Sequence, residues 1–114
     1  MKQKLIRVAE EFTTTPGPRY IDDGSWSGEQ FRKEYLEPLL RGDPELSIVV
    51  DLDRVYSYGT SFLEEISGGL IRELGPDVLN RVVFITNNPR WNNKVQDFIQ
   101  KELSRQRKKG AIWR

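Results

Sequence analysis

Two acidic side chains at the end of a predicted strand are the first candidates for chemistry. Asp51 and Asp53 flank Leu52 at the C-terminal end of that strand, where ligands of open α/β sheets usually bind. Carboxylates two residues apart on a strand point the same way, as ligands of Mg²⁺ would. No phosphate-binding glycine loop and no third clustered ligand accompanies them. The ordinary interpretation is therefore that they bind loop amides or pair with Arg54.

A run of hydroxyl groups follows the same strand. The segment from Tyr56 to Phe62 joins the strand to a predicted helix, so its hydroxyls and free amides would lie at the positive end of a helix dipole. The segment lacks the glycine-x-serine-x-glycine spacing of a serine nucleophile. Glu64 follows Ser61 with the spacing of a capping box, which predicts Ser61 as the helix N-cap. The alternative role for Ser61 is a regulatory switch.

The sequence lacks two residue types that many enzymes use for catalysis, cysteine and histidine. The 114 residues include no Cys and no His, which excludes disulfides, thiolate metal sites and the commonest general base. With 37% hydrophobic and 31% charged residues, the chain is expected to form one soluble globular domain. We therefore expect no enzyme activity, no metal and no cofactor. The chain shows no apolar run of a signal peptide or membrane span, so we also expect a cytoplasmic protein without membrane contact.

Basic residues are concentrated at the C-terminus. From residue 101 onward six basic residues stand against one acidic residue, whereas the rest of the chain has twelve basic and sixteen acidic residues. Only this tail can attract nucleic acid electrostatically. The alternative function is therefore a nucleic-acid-associated accessory protein that uses the tail together with Arg90 and Trp91. Other basic and aromatic residues, namely Arg19, Tyr20 and Trp26, are scattered and are expected in core or partner-facing positions.

Hydrophobic periodicity predicts the elements that position these residues. Residues 46–52 and 81–86 are short, apolar and rich in β-branched side chains, which indicates buried strands, the first covered on both faces. Residues 4–9 are expected to form an opening strand, and turn residues 13–18 to return the chain into a short second strand at 19–21. Helices are expected from Gly28 to residue 42, capped by Ser27, then over 62–74, and from Pro89, capped by Asn88, to about residue 103.

Three details of the predicted helices bear on the site. In the first helix Arg32, Lys33 and Glu37 are expected to point to water, opposite the apolar face. Pro38 should kink or tighten that helix, because it deletes a backbone hydrogen bond. In the second helix the pair Gly68-Gly69 indicates a close approach to the sheet or to a partner.

Three stretches of sequence carry a family resemblance: PGPRY at 16–20, GSWSGEQFR at 24–32 and VVDLDRVYSYGTSFLEEISGGLIR at 49–72. Together they resemble a bacterial family of STAS-like domains of unknown function. Through that family the chain is similar to the STAS fold of anti-sigma-factor antagonists. The resemblance implies an α/β fold with a small mixed sheet of four to five strands, flanked by about three helices. The domain would cover residues 1–103, with residues 104–114 as a basic tail, frayed or added as a short strand through Ala111 to Trp113.

The antagonists carry an Asp-Ser-Ser-Gly motif after the central strand, and a partner kinase that is also an anti-sigma factor phosphorylates its second Ser. The motif falls on residues 59–62 of this chain. The hydroxyl pair is kept as Thr60 and Ser61, while the Asp and Gly positions differ. A phosphate on Ser61 would favour the helix dipole but be repelled by Glu64 and Glu65.

The resemblance thus implies a non-enzymatic regulatory module that binds a partner protein, such as a histidine-kinase-type ATPase. Phosphorylation of Ser61 or Thr60 would act as its switch. The sequence leaves the oligomeric state open. The partner-binding surface is expected to include Tyr56, Tyr58, Gly59, Thr60, Ser61, Glu64, Glu65 and Gly68.

Overall fold

The fold is α/β, in a computed structural model that describes the backbone of residues 2–112 and the side chains through residue 109. Within that range the sheet has three strands in the order β1-β2-β3, and both pairings are parallel. The predictions of four to five strands and of a mixed sheet are therefore wrong. The strands are β1 (Lys2–Arg7), β2 (Leu46–Asp51) and β3 (Val82–Ile85), and the four helices are α1 (Gly28–Phe31), α2 (Glu37–Gly42), α3 (Thr60–Leu74) and α4 (Pro89–Ile112).

The predicted N-terminal hairpin does not form. β1 ends in a π-helical turn, Val8–Phe12, and the chain then makes a 3-10 turn at Ile21–Asp23. Residues 19–21 form no strand because their backbone is used elsewhere. The carbonyl of Arg19 accepts a hydrogen bond from the amide of Glu29 (2.9 Å). The segment predicted to pair with β1 is therefore attached to the start of α1.

β2 is the central strand, but side chains are buried on one face of the sheet only. Ile6, Val50 and Phe84 are neighbours in the register, and all three are buried. On the opposite face Val83 is 53% exposed and Ile85 is 44% exposed. The prediction that β2 is covered on both faces is therefore wrong for the described chain. Helices pack on the buried face, where Phe31, Leu36, Phe62, Ile66 and Ile99 contribute to the core.

The helical segment that follows residue 27 is divided in two by a wide turn. α1 begins at Gly28 as predicted, and the Ser27 hydroxyl accepts the Gln30 amide at 2.9 Å, so the predicted cap is confirmed. A π-helical turn at Arg32–Leu36 then separates α1 from α2. Pro38 lies in the first turn of α2, has no amide to donate and crowds the carbonyl four residues earlier. The helix therefore widens before Pro38, whereas the sequence predicts a kink or a tighter last turn.

α4 follows Asn88 and is longer than predicted. The Asn88 side-chain oxygen accepts hydrogen bonds from the amides of Arg90 (2.9 Å) and Trp91 (3.2 Å), which confirms the predicted cap. The helix continues through Ile112, so residues 104–112 form helix and no strand. Trp113, also part of that predicted strand, lies outside the described residues. None of the helices within residues 2–112 combines the length and hydropathy needed to cross a membrane.

Candidate functional site

A cleft opens at the C-terminal edge of the sheet, where open α/β sheets bind their ligands. It lies between the loops that follow β2 and β3 and has a volume of about 820 Å³. Both α3 and α4 begin at this edge, because each follows a strand of the parallel sheet. The residues lining the cleft are Asp51, Asp53, Arg54, Ile85, Thr86, Asn87, Asn88 and Pro89.

The two acidic residues in the cleft bind loop groups. The Asp51 carboxylate accepts a hydrogen bond from the Asp53 amide (2.9 Å). The Asp53 carboxylate accepts the Thr86 hydroxyl (2.6 Å) and the Asn87 amide (3.0 Å), and so connects the β2 loop to the β3 loop. The interpretation that these carboxylates bind loop amides is confirmed. Over residues 2–112 no group of three or more acidic side chains is arranged to hold a metal ion.

Thr60 and Ser61 lie in the first turn of α3, beside the cleft. The helix begins at Thr60 with Gly59 as N-cap, so the prediction that Ser61 is the cap is wrong. The helix begins two residues earlier than predicted. Both hydroxyl residues are exposed, and the Thr60 hydroxyl accepts a hydrogen bond from the Lys94 ammonium at 3.4 Å. The first turn carries no acidic side chain, so these hydroxyls lie at an unneutralised positive helix end.

The two tyrosines before α3 have opposite environments. Tyr56 is 83% exposed, and its backbone amide donates to the Thr14 carbonyl at 2.9 Å. Tyr58 is partly buried; its hydroxyl donates to the Leu52 carbonyl (2.8 Å) and its ring packs edge-on against Trp91 at 4.8 Å. Burial raises the pKa of Tyr58, so the hydroxyl stays protonated. Tyr56 is thus accessible to a partner, whereas Tyr58 positions the loop.

Glu65 is buried in an ion pair. Its carboxylate accepts two hydrogen bonds from the Arg32 guanidinium, at 3.2 and 2.8 Å, and Arg32 also pairs with the buried Glu37. The prediction that Arg32 and Glu37 point to water is therefore wrong. Burial lowers the pKa of Arg32, but the hydrogen bonds to Glu65 and Glu37 outweigh it and raise that pKa. A charged residue of the π-helical turn between α1 and α2 is thus held inside the protein by a partner on α3.

Glu64 continues this arrangement toward the surface. Its carboxylate pairs with Arg19 and with Arg72, the latter at 2.7 Å, and Arg72 also bonds to Glu102 on α4 at 2.8 Å. Burial raises the pKa of Glu64, but the hydrogen bonds from Arg72 and Arg19 outweigh it and lower that pKa. The resulting ion-pair cluster joins the N-terminal loop, the π-helical turn after α1, and helices α2, α3 and α4. Its members are Arg19, Arg32, Glu37, Glu64, Glu65, Arg72 and Glu102.

The two adjacent glycines of α3 make room for these carboxylates. A Cβ atom at Gly68 would overlap Oε2 of Glu64, and one at Gly69 would lie 3.1 Å from Cδ of Glu65. The space beside the glycines is therefore filled by the acidic side chains of the preceding turn. Gly68 is itself buried.

The structure divides the expected partner-binding surface by exposure. Tyr56, Gly59, Thr60 and Ser61 are exposed together at the start of α3, Tyr58 and Glu64 are partly buried, and Glu65 and Gly68 are buried. The residues that sequence reasoning missed are the arginines that neutralise the acidic pair. The sequence signal for this cluster is the pair Glu64-Glu65 four residues before the pair Gly68-Gly69. Residues four apart lie on the same face of a helix, so the missing side chains of the glycines leave room for the two carboxylates.

One family matches the chain by its sequence profile. The profile of the STAS-like domain of unknown function (DUF4325) covers residues 27–90, which is more than half of the chain. The matched stretch runs from the Ser27 cap to the first turn of α4 and includes both cleft loops and all of α3. No curated protein and no solved structure matches the chain significantly.

Proposed function

Because the chain belongs to the family of STAS-like domains of unknown function, we propose that it is a non-enzymatic regulatory module of the cytoplasm that binds another protein. The partner is a kinase-like ATPase of the histidine-kinase type, the class that STAS antagonists engage. The observation that carries the proposal is the exposed group Tyr56, Gly59, Thr60 and Ser61 at the start of α3, which we call the α3 rim. The family description names no enzymatic activity.

Aromatic exposure supports a protein partner for the α3 rim. The Tyr56 side chain is almost fully exposed to solvent. Tyrosine and tryptophan are enriched at the surfaces where proteins bind each other. Trp26 is also exposed, and its ring packs edge-on against Phe12 at 5.2 Å. The Tyr56 backbone is bonded to Thr14, two residues from Phe12, so both exposed rings are attached to the same N-terminal segment. A partner docking on the α3 rim would bury the Tyr56 ring.

The cluster beneath the rim supports a phosphate switch at Ser61. A phosphate there would add a charge of about −1.5 to −2 at the positive end of α3. The sequence alone indicated repulsion by Glu64 and Glu65. In the structure these two carboxylates are paired with Arg72 and Arg32, which offsets that repulsion. Phosphorylation would therefore change the charge of the α3 rim without breaking the fold under it.

The test of this proposal compares partner capture by four variants of the immobilised chain. Tyr56→Ala removes a highly exposed ring, Ser61→Asp imitates the phosphate, and Ser61→Ala removes the hydroxyl. Ser57→Asp is the matched control, an exposed serine of the same loop outside α3. We expect wild type and Ser61→Ala to capture a histidine-kinase-type ATPase from native cytoplasm, and Tyr56→Ala and Ser61→Asp to lose most of it. Ser57→Asp should retain capture.

Mass spectrometry of the captured complex after incubation with ATP locates the modification. We expect phosphate on Ser61 or Thr60. Equal capture by all variants, with the thermal melting of each unchanged, would refute the α3 rim as the docking site. Phosphate on neither residue would remove the switch and leave a constitutive docking surface.

A further inference from the structure

α4 has a net positive charge, whereas the rest of the chain has a net negative one. Residues 89–112 include seven basic and two acidic residues, whereas the rest of the chain has eleven basic and fifteen acidic residues. One of the two acidic residues, Glu102, is buried and bonded to Arg72. The exposed surface of α4 is therefore strongly positive, on a body that is otherwise negative.

Five of the seven basic side chains of α4 form one row along the helix. Residues three, four or seven positions apart lie on the same face of a helix. The spacings from Arg90 to Lys94, Lys101, Arg105 and Lys108 are four, seven, four and three, so all five lie on one face. The row extends over about 27 Å at the rise of an α-helix. We call it the α4 basic row; it is continuous because the C-terminal segment is helical rather than a loose tail.

The row is open to solvent and lightly paired. Arg90, Lys101 and Lys108 are exposed and make no ion pair within the described part of the chain. Shallow grooves along the same face include the polar side chains of Asn93 and Ser104. Ammonium and guanidinium groups interleaved with amides and hydroxyls are the donors that proteins use to bind phosphate oxygens. Asp97 is the single acidic residue on this face.

We propose that the α4 basic row binds the phosphate backbone of double-stranded nucleic acid, independently of base sequence. A linear set of cations matches a linear polyanion, and release of counterions from the duplex drives such binding. Trp91, the aromatic residue next to Arg90 in the sequence, is packed edge-on against Tyr58 and is therefore not free to stack on bases. Single strands, which are bound largely by aromatic stacking, should therefore bind more weakly than duplexes.

The alternative polyanion is a membrane surface, and the packing of α4 argues against it. A helix that lies on a membrane buries an apolar face next to its basic face. In α4 the apolar residues Val95, Ile99 and Leu103 contact the protein core instead. The row meets the α3 rim at Lys94, which donates to the Thr60 hydroxyl, but the binding test below changes Lys101 and leaves that contact in place.

The test measures binding to a fluorescently labelled duplex of random sequence by anisotropy, over a series of salt concentrations. Lys101→Gln removes one charge from the row, and Lys4→Gln removes one from an exposed lysine of β1 as the matched control. Asp97→Asn removes the only acidic group on this face. All three residues are exposed.

We expect duplex binding at low salt, with log K falling as log salt rises. Lys101→Gln should weaken binding several-fold and make the salt slope shallower by about 1. Lys4→Gln should match wild type, and Asp97→Asn should bind more tightly. The proposal is overturned if wild type does not bind duplex at low salt, if Lys101→Gln and Lys4→Gln bind equally, or if anionic lipid vesicles are bound and the duplex is not.

Discussion

The guanidinium of Arg32 donates two hydrogen bonds to the carboxylate of Glu65, although 33 residues of sequence separate them. The two side chains are only 4% and 5% exposed. A buried ion is tolerated only when a partner and additional hydrogen bonds replace the water it has lost. This pair therefore fixes the segment between α1 and α2 on α3, directly beneath the α3 rim.

Removing the acidic partner should strongly destabilise the protein. In Glu65→Ala the Arg32 charge stays buried with one carboxylate fewer, and we expect the free energy of unfolding to fall by about 3 to 5 kcal/mol. Urea denaturation at neutral pH measures the change. Lys33→Ala is the control, because it removes an exposed pair with Glu29 from the same helical segment. An equal loss in both variants would contradict the structural role of the buried pair.

Stability should fall in acid because of two carboxylates of the ion-pair cluster. Burial raises the pKa values of Glu64 and Glu102, but hydrogen bonds from arginines, Arg72 foremost, outweigh it and hold both below the ordinary value of 4.5. Each carboxylate is more acidic in the folded than in the unfolded chain. Its contribution is therefore fully present above about pH 4.5 and is lost as the pH falls through the folded pKa.

The urea midpoint measured from pH 7 down to pH 3 checks this dependence. We expect a plateau above pH 5.5 or so, given the ordinary carboxyl pKa, and a decline below it. Glu64→Gln, which cannot titrate, should be less stable at neutral pH and should decline less steeply. A midpoint that stays constant to pH 3, or an equally steep decline in Glu64→Gln, would contradict the assignment.

A methyl group at Gly28 should separate α1 from α3. Its Cβ would lie 2.9 Å from Cβ of Glu65 and 3.0 Å from the carbonyl oxygen of Phe62, and a backbone carbonyl in a helix cannot move aside cheaply. We expect Gly28→Ala to lower the free energy of unfolding by about 1 to 3 kcal/mol. Gly42→Ala is the control, because nothing lies within 4 Å of that position. Thermal melting should show Gly42→Ala unchanged or more stable, and the reverse order would refute the close contact.

Two serines with the same capping-box spacing should respond differently to alanine. Ser27 accepts the Gln30 amide at 2.9 Å, so Ser27→Ala should cost about 0.5 to 2 kcal/mol. Ser61 lies within the first turn of α3 and caps nothing, so Ser61→Ala should leave the stability nearly unchanged. Chemical denaturation of the two variants side by side checks the difference. Equal losses would mean that Ser61 caps α3 after all.

Local patterns were sufficient for most of the elements. Apolar β-branched runs placed β2 and β3, helical periodicity placed α3 and α4, and the caps at Ser27 and Asn88 followed from residue type and spacing. These features depend on neighbours within about four residues, so the sequence contains them directly. The error at Ser61 shows the limit, since a capping-box spacing alone does not decide at which residue a helix begins.

The N-terminal region shows what local patterns could not decide. Residues 19–21 have the composition of a strand, but their backbone is hydrogen-bonded to the start of α1. Within residues 2–112 no strand other than β2 pairs with β1. Turn residues predict that the chain changes direction, but they do not predict which segment the following residues will pair with. The number of strands in the sheet therefore depends on long-range pairing, which local sequence patterns do not reveal.

By itself, the sequence determined the family, the central strand and the hydroxyl pair at Thr60 and Ser61. The tertiary structure alone decided that Glu65 is buried and that Tyr56 and Ser61 remain exposed. The physical reason is that burial of a charge depends on a partner, and the partner of Glu65 reaches it from a different helix. Helical periodicity predicts which residues share a face of a helix, but only the packing of the helices determines which residues that face contacts.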